Sequence, residues 1–375
     1  MSYSSTMDLA TRTLHGEGVR DKRAPSLLLD RYSALIGDLR LSWTGHLRLL
    51  KQLGIGGQGR VYLSERRGAD HFTLPVAVKI FSPEHYMDDA TYEEAMARIA
   101  RVSALVGQIQ QDNLLDVQDF IDRDRVRIMV MEWIDGYDLS QLLVPEMLTR
   151  IRDRADKKRW EYLNRVIVTN GPVHPQLKPG VAVAIVRDCL AALAALHREG
   201  IVHGDVKPSN IMLKVTGNAK IIDIGSAVEL ADPPPQRTVT PTYAAPEVLD
   251  GGDVSPRSDL ASLGYVLIEM LSGRPLFPGQ LTLAQLIEQK RGLPQRLPTI
   301  LPQEVTHSDL LMSFCRGLIA PDPMRRFRTA EEADLVQQGA AAFQRQLVLG
   351  NLSSEYENEI RTWIRELKEA DEPKI

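Results

Sequence analysis

The sequence predicts an α+β chain of two unequal lobes, a small β-rich N-lobe and a larger helical C-lobe. Three observations carry that expectation. From His46 to Ile80 the pattern reads strand, glycine loop, strand, strand. From about Leu139 onward the chain turns helical in composition, with alanine- and leucine-rich runs. Between Asn210 and Asp223 two apolar runs flank a Gly217-Asn218 turn signal and read as an antiparallel hairpin.

The elements follow in order. Residues 1–45 are mixed polar and read as a partly flexible extension, with apolar islands at Ser26-Leu27-Leu28-Leu29 and from Leu35 to Leu41. The N-lobe spans 46–134. Leu47, Leu49 and Leu53 precede its glycines, and Val61, Tyr62 and Leu63 follow them. Val76-Ala77-Val78-Lys79-Ile80 is the third strand, and residues 88–106, free of glycine and proline, are a helix. Two strands near 114–121 and 125–131 complete a small five-stranded sheet. The C-lobe spans 135–347. Its helices are expected over 180–199, ending at Gly200 as a C-cap, and over 258–273, 308–319 and 329–346. A cleft is expected between the lobes.

The 375 residues allow one large or two ordinary domains, and 43% hydrophobic with 25% charged residues is a globular balance. A net charge of −4 gives no whole-chain case for nucleic acid or an anionic membrane. Cys189 and Cys315 lie far apart in helical segments and read as buried free thiols, which fits a reducing compartment. The N-terminus does not resemble a signal peptide, and no segment is expected to approach the roughly 20 apolar residues of a membrane span. The expected location is the cytoplasm.

Two further surfaces stand out. Residues 145–179 look like an insertion carrying Arg150, Arg152, Arg154, Lys157, Lys158 and Arg159 with few acids. They form either a solvated helix face or a docking surface for an acidic partner. In the terminal segment 348–375, Tyr356, Ile360, Trp363, Ile364 and Leu367 make an amphipathic stripe, with Ser354 and Glu357 placed for a capping box. The stripe over 354–369 packs on its own lobe or forms a dimer or partner contact.

The chemistry concentrates on few residues. With the hairpin turn near Gly217, Asn210 and Asp223 fall side by side, and Asp205 and Lys207 sit on the loop just before. An oxygen-rich corner beside a second carboxylate and an ammonium suits a Mg-bound phosphate reacting with a hydroxyl. Asp205 is the candidate base and Lys207 the group that neutralises the transferring phosphoryl. Asn210 and Asp223 are the candidate metal ligands. Gly54-Ile55-Gly56-Gly57-Gln58-Gly59 precedes a strand and not a helix, which argues against a dinucleotide fold. Such a loop is either a plain hairpin turn or a cradle whose N–H groups approach phosphate oxygens. Lys79 is one hairpin further on and can lie under that loop.

Taken together these motifs resemble the eukaryotic-type (Hanks-type) protein Ser/Thr kinase family, in its bacterial branch, over residues 46–337. The resemblance rests on Gly54, Gly56 and Gly59, on Val76-Ala77-Val78-Lys79, and on His203-Gly204-Asp205 with Lys207 and Asn210. It also rests on Asp223-Ile224-Gly225, Ala245-Pro246-Glu247, Asp259 with Gly264, and Arg326. It implies an enzyme that uses ATP and Mg2+ to phosphorylate a protein hydroxyl, its own included. It implies that Met131-Glu132-Trp133-Ile134 is the hinge reading adenine, with Val61 and Ala77 above the ring and Met212 below. It further implies that Glu247 pairs with Arg326, that Asp259 braces the catalytic loop, and that a helix glutamate orients Lys79. Glu94 is the choice for that glutamate and Glu93 the alternative. Thr240-Pro241-Thr242-Tyr243 resembles the serine/threonine branch.

The departures are specific. Gly204 stands where the family has an arginine that binds a phosphorylated activation-segment residue. Activation is therefore expected to depend on packing of the segment, which includes Pro233-Pro234-Pro235, more than on a phosphate at Thr238. Ile224 replaces a phenylalanine. Neither Glu93 nor Glu94 is followed four residues later by a large apolar side chain. Two alternatives remain: an ATP-binding pseudokinase scaffold, and a small-molecule kinase of the aminoglycoside or choline type, which shares His-Gly-Asp.

Overall fold

The computed structural model describes residues 12–13, 27–38, 47–234, 238–349 and 356–371. The N-lobe is an antiparallel five-stranded sheet, ordered Leu47–Gly56, Gly59–Arg67, Thr73–Phe81, Val126–Glu132, Val117–Arg123. Its register sets Lys79 between Val61 and Met129, and Ala77 between Leu63 and Met131. One long helix, Asp89–Val106, packs on the edge strand Val117–Arg123 and on the turn Ile224–Ser226. Asp88 caps it reciprocally with Thr91. Within the extension, Leu27–Asp38 is a helix whose Leu28, Tyr32 and Leu35 are buried at helical spacing. Arg12–Thr13 pairs antiparallel with Thr238–Val239.

The C-lobe is built around two buried helices, Pro179–Arg198 and Pro256–Ser272, with Asp309–Ile319, Ala330–Leu335 and Ala340–Leu349 packed about them. Three expectations need correction. Pro179–Arg198 is long and apolar enough by length and composition to cross a membrane, although most of it is buried inside the lobe. The single helix expected over 329–346 is two, broken after Leu335 and restarted at Ala340. A helix not expected at all, Leu283–Ile300, contains Pro294 and Pro298. Each proline removes one backbone donor, and tertiary packing of Leu286, Ile287, Leu293 and Leu297 holds the helix regardless.

The basic insertion folds as helices Pro145–Arg152 and Lys157–Val166 and a hairpin of Val168–Asn170 with Pro175–Leu177. Of its basic side chains, Arg150, Arg154 and Arg159 are answered by the last helix of the chain. The terminal helix Tyr356–Asp371 buries its whole apolar stripe, with Trp363 at 0% exposure. Its acidic side meets the insertion: Arg159 grips Glu366 at 2.7 and 3.0 Å, Arg150 meets Asp371 at 2.6 Å, and Tyr162 donates to Glu359 at 2.5 Å. Arg154 donates to the carbonyls of Glu369 and Ala370. The acidic surface that the insertion docks is thus the protein's own last helix. That helix also reaches the link between the lobes, where Lys368 pairs with Asp135 and Tyr137 donates to Asp371 at 2.5 Å. Ser354, expected to cap it, lies outside the described residues.

Candidate active site

The loop that carries Asp205 is fixed from below. The fully buried carboxylate of Asp259 accepts the backbone N–H of His203 at 2.8 Å and of Gly204 at 2.9 Å, and meets the His197 ring at 2.9 Å. His203 donates from Nε2 to the Ile222 carbonyl at 3.1 Å and accepts at Nδ1 from the Asp205 N–H at 3.3 Å, which assigns its tautomer. Gly204 has φ of +75°, and a Cβ there would stand 2.9 Å from the Ser226 carbonyl oxygen. An arginine would be strained at this position, so the departure in sequence matches the backbone.

Asp205 sits in a dense polar knot. Its carboxylate meets Lys207 at 2.7 Å and accepts from the Thr240 hydroxyl at 2.7 Å. Lys207 in turn donates to Thr240 at 3.0 Å, and Asn210 donates to the Asp205 carbonyl at 2.8 Å. The hairpin forms as expected, with Ile211 opposite Ile221 and the Ile222 N–H bonded to the Asn210 carbonyl at 2.9 Å. Asp223 therefore leaves the strand next to Asn210. Thr240 is the member of this knot that spacing alone did not place in the site; it arrives from the segment ahead of Ala245-Pro246-Glu247.

Asp223 takes the left-handed conformation, φ 59°, and caps the turn Ile224–Ser226 by accepting from the Gly225 N–H at 3.2 Å. Lys79, almost wholly buried, donates to its carboxylate at 2.5 Å. Burial alone would raise the Asp223 pKa, but Lys79 overrides it and holds the group down at about 2. Lys79 also donates to Gln58 Oε1 at 2.9 Å.

The expected partnership of Lys79 with Glu94 is corrected. Glu94 pairs with Arg98 at 2.6 Å, one turn along, and Glu93 pairs with Arg125 at 2.7 Å. Tyr92 and Met96 define the buried face of this helix, and Glu94, midway between them in sequence, points away from it into solvent. The helix is tethered to the far side of the cleft by Arg101, which meets Glu229 at 3.0 Å and also pairs with Asp232.

The remaining predicted residues lie on the sheet of the N-lobe and on the hairpin that carries Asn210 and Asp223. Gly54 opposes Val61 and Gly56 opposes Gly59, so Gly57-Gln58 is the tip of the glycine hairpin and Ile55 is exposed on it. Ala77 and Met131 are cross-strand neighbours, and Met212 lies on the hairpin strand beside Asp138. Glu132 spends its carboxylate on Lys220 at 2.5 Å and the Asp116 N–H at 2.7 Å, bracing the segment that runs on to Ile134. Below, Arg326 grips Glu247 at 2.6 and 2.7 Å. Among the described residues no three His, Cys, Asp or Glu side chains cluster to hold a metal unaided. Asn210 and Asp223 are hard oxygen donors suited to a divalent cation that takes its other ligands from phosphate and water.

Comparison with known proteins fits this geometry. Residues 47–335 match the model of the protein kinase domain. The serine/threonine-protein kinase PrkC of Bacillus subtilis is 30% identical over 306 residues, 78% of this chain and 40% of the relative. PknB of Mycobacterium tuberculosis, named as a serine/threonine-protein kinase, is 30% identical over 325 residues, 84% of this chain and 44% of the relative. The chain thus spans less than half the length of these relatives. A match that runs from the first strand of the sheet to the end of helix Ala330–Leu335 leaves one assignment: the chain belongs to the protein kinase domain family.

Proposed function

We propose that this chain is an ATP-dependent protein serine/threonine kinase, acting on a protein partner and on itself. The observation that carries the reading is the knot of Asp205, Lys207, Asn210 and Thr240 placed beside Asp223 and under Lys79. ATP would lie between the hinge Met131–Ile134 and the glycine loop, with Val61 and Ala77 above the adenine and Met212 below. Lys79 would bind its phosphates. Asn210 and Asp223 would hold Mg2+, which supplies charge neutralisation on the phosphates. Asp205 accepts the proton of the attacking hydroxyl, Lys207 steadies the transferred group, and Thr240 fixes the Asp205 carboxylate toward the acceptor. The buried free thiols Cys189 and Cys315 fit action in the cytoplasm.

Labelled ATP with the purified chain, alone and with a basic protein acceptor, tests this beside an Asp205→Ala control. Transfer to protein that disappears in the control supports the reading, and transfer only to small alcohols points to a small-molecule kinase. Binding of Mg-ATP without transfer favours a scaffold, the second reading. The observation on that side is that Glu94 and Glu93 both leave Lys79 for arginines.

A further inference from the structure

Lys79 needs an acceptor that keeps its ammonium aimed at phosphates once Asp223 turns to a metal. The helix Asp89–Val106 does not supply one. Its three acids, Asp89, Glu93 and Glu94, all sit in the first two turns and all meet arginines, Arg125 at 3.4 Å, Arg125 at 2.7 Å and Arg98 at 2.6 Å respectively. From Ala95 to Val106 the sequence has no acid. The glycine loop does supply one. Gln58, at its tip, accepts from Lys79 at 2.9 Å through Oε1 and donates through Nε2 to the Gly225 carbonyl at 3.0 Å and to Ser226 Oγ at 3.2 Å. The amide is therefore used at both ends, between Lys79 and the turn after Asp223. Gly225 makes the space: a Cβ there would lie 2.0 Å from Gln58 Oε1 and 2.9 Å from Lys79 Nζ.

We propose that Gln58 is the positioning residue for Lys79, taking from the glycine loop the part that a helix carboxylate plays in the family. The proposal rests on the kinase reading above. Its consequence is that the aim of Lys79 and closure of the loop are one event, because the loop must be down for the amide to reach. A neutral acceptor also leaves the ammonium its full charge for the phosphates, whereas a carboxylate would offset part of it.

The test uses the full chain, with Mg-ATP binding measured by calorimetry and transfer measured separately. Gln58→Ala is expected to weaken Mg-ATP binding about tenfold and to lower kcat by a further factor of about ten. Gln58→Glu restores the acceptor for Lys79 but loses the donor to the Gly225 carbonyl, and is expected to recover only part of the loss seen in Gln58→Ala. Adding Gln58→Ala to Lys79→Met is expected to change binding no further, since the amide acts through that lysine; an independent structural role would add instead. Gln58→Ala binding Mg-ATP as well as or better than the wild type overturns the proposal, because the amide then only blocks the site. A loss in Glu94→Gln larger than in Gln58→Ala overturns it too. Should the wild type bind Mg-ATP and transfer nothing, the kinase reading fails while the binding cycle still decides the role of Gln58. A wild type that binds no Mg-ATP overturns both.

Discussion

Lys79 and Asp223 form an ion pair of 2.5 Å across the cleft, with the lysine nearly buried and the aspartate in a left-handed turn. The pair joins the two lobes, and its charge balance has a readable consequence. Burial pushes the Asp223 carboxyl up, and Lys79 pulls it down to about 2 against an ordinary 3.8. The folded pKa lies below the unfolded one, so the pair stabilises the fold above the unfolded value and loses that contribution as pH falls from 3.8 toward about 2. Lys79→Met leaves burial without its main opponent. The Asp223 carboxyl is expected to rise toward its ordinary value in that variant, followed by carboxylate NMR titration. An Asp223 titration unchanged by Lys79→Met would contradict the assigned cause.

Glu269 shifts the other way. It is buried beneath the segment after Asp223, accepts from the Tyr243 hydroxyl at 2.7 Å, and has His174 Nε2 3.8 Å away. Burial pushes its carboxyl up to about 7, with the Tyr243 bond opposing. A folded pKa above the unfolded 4.5 means that native stability falls as pH rises from there to about 7, and stays reduced above. Glu269→Gln keeps an acceptor for Tyr243 and removes the ionisation. It is expected to raise stability relative to wild type increasingly from about pH 5 to about pH 8, by at most about 3 kcal/mol. Denaturant melts at the two pH values check this, and a pH-independent difference would remove the claim.

The terminal helix braces the link between lobes through both packing and charge. Trp363 is fully buried in its stripe, so Trp363→Ala is expected to destabilise the chain by about 3–5 kcal/mol. The bidentate Arg159–Glu366 pair is partly exposed, and a double-mutant cycle is expected to give a coupling of only about 0.5–1 kcal/mol. Because Lys368 and Asp371 reach Asp135 and Tyr137, loss of the helix is expected to speed amide exchange over 132–138. Unchanged exchange there in Trp363→Ala would show that the helix braces only the insertion.

Much of this was legible in the chain, for identifiable reasons. Short-range chemistry reads well: the Gly217-Asn218 turn fixes the hairpin and so sets Asn210 beside Asp223, and the continuous apolar run around Lys79 fixes its place in the sheet. Side-chain partnerships across elements read poorly. Glu94 was a reasonable partner for Lys79 by position, but helix phase is set by which face is buried, and Tyr92 and Met96 take it. Thr240 joins Asp205 only through tertiary folding, 35 residues on. The basic run of the insertion was visible in the sequence, and its partners Glu366 and Asp371 on the last helix needed the fold to bring them to Arg159 and Arg150. The helix Leu283–Ile300 was hidden by Pro294 and Pro298, whose local preference is overruled by packing.

Gly204 makes the activation segment an unusual case. With no room or backbone geometry for an arginine, the segment is held instead by Thr240 on Asp205 and Lys207 and by Tyr243 on Glu269. Thr238→Ala is therefore expected to retain most transfer activity. A loss of about a hundredfold or more in the variant would show that a phosphate at Thr238 orders the segment after all.

Lys290 holds the same segment from the helix below. It is fully buried, donates to the Thr242 carbonyl at 2.6 Å, and lies over the rings of Tyr265 and Phe277, 4.0 and 4.4 Å from their centroids. Burial pulls its pKa well below the usual lysine range, with Glu247 opposing. A polar head in so dry a place is satisfied by what it holds, which is the backbone two residues past Thr240. Lys290→Met keeps the apolar stem and its packing on the two rings while removing the donor. On the proposed kinase reading the segment would present the protein acceptor and not the nucleotide, so the variant is expected to raise KM for a protein acceptor about tenfold or more and to leave Mg-ATP affinity within about twofold. Hydrolysis of ATP by water, which needs no acceptor held on the loop, is expected to persist. Hydrolysis falling in step with protein transfer would mean that Lys290 supports the lobe as a whole and not the loop.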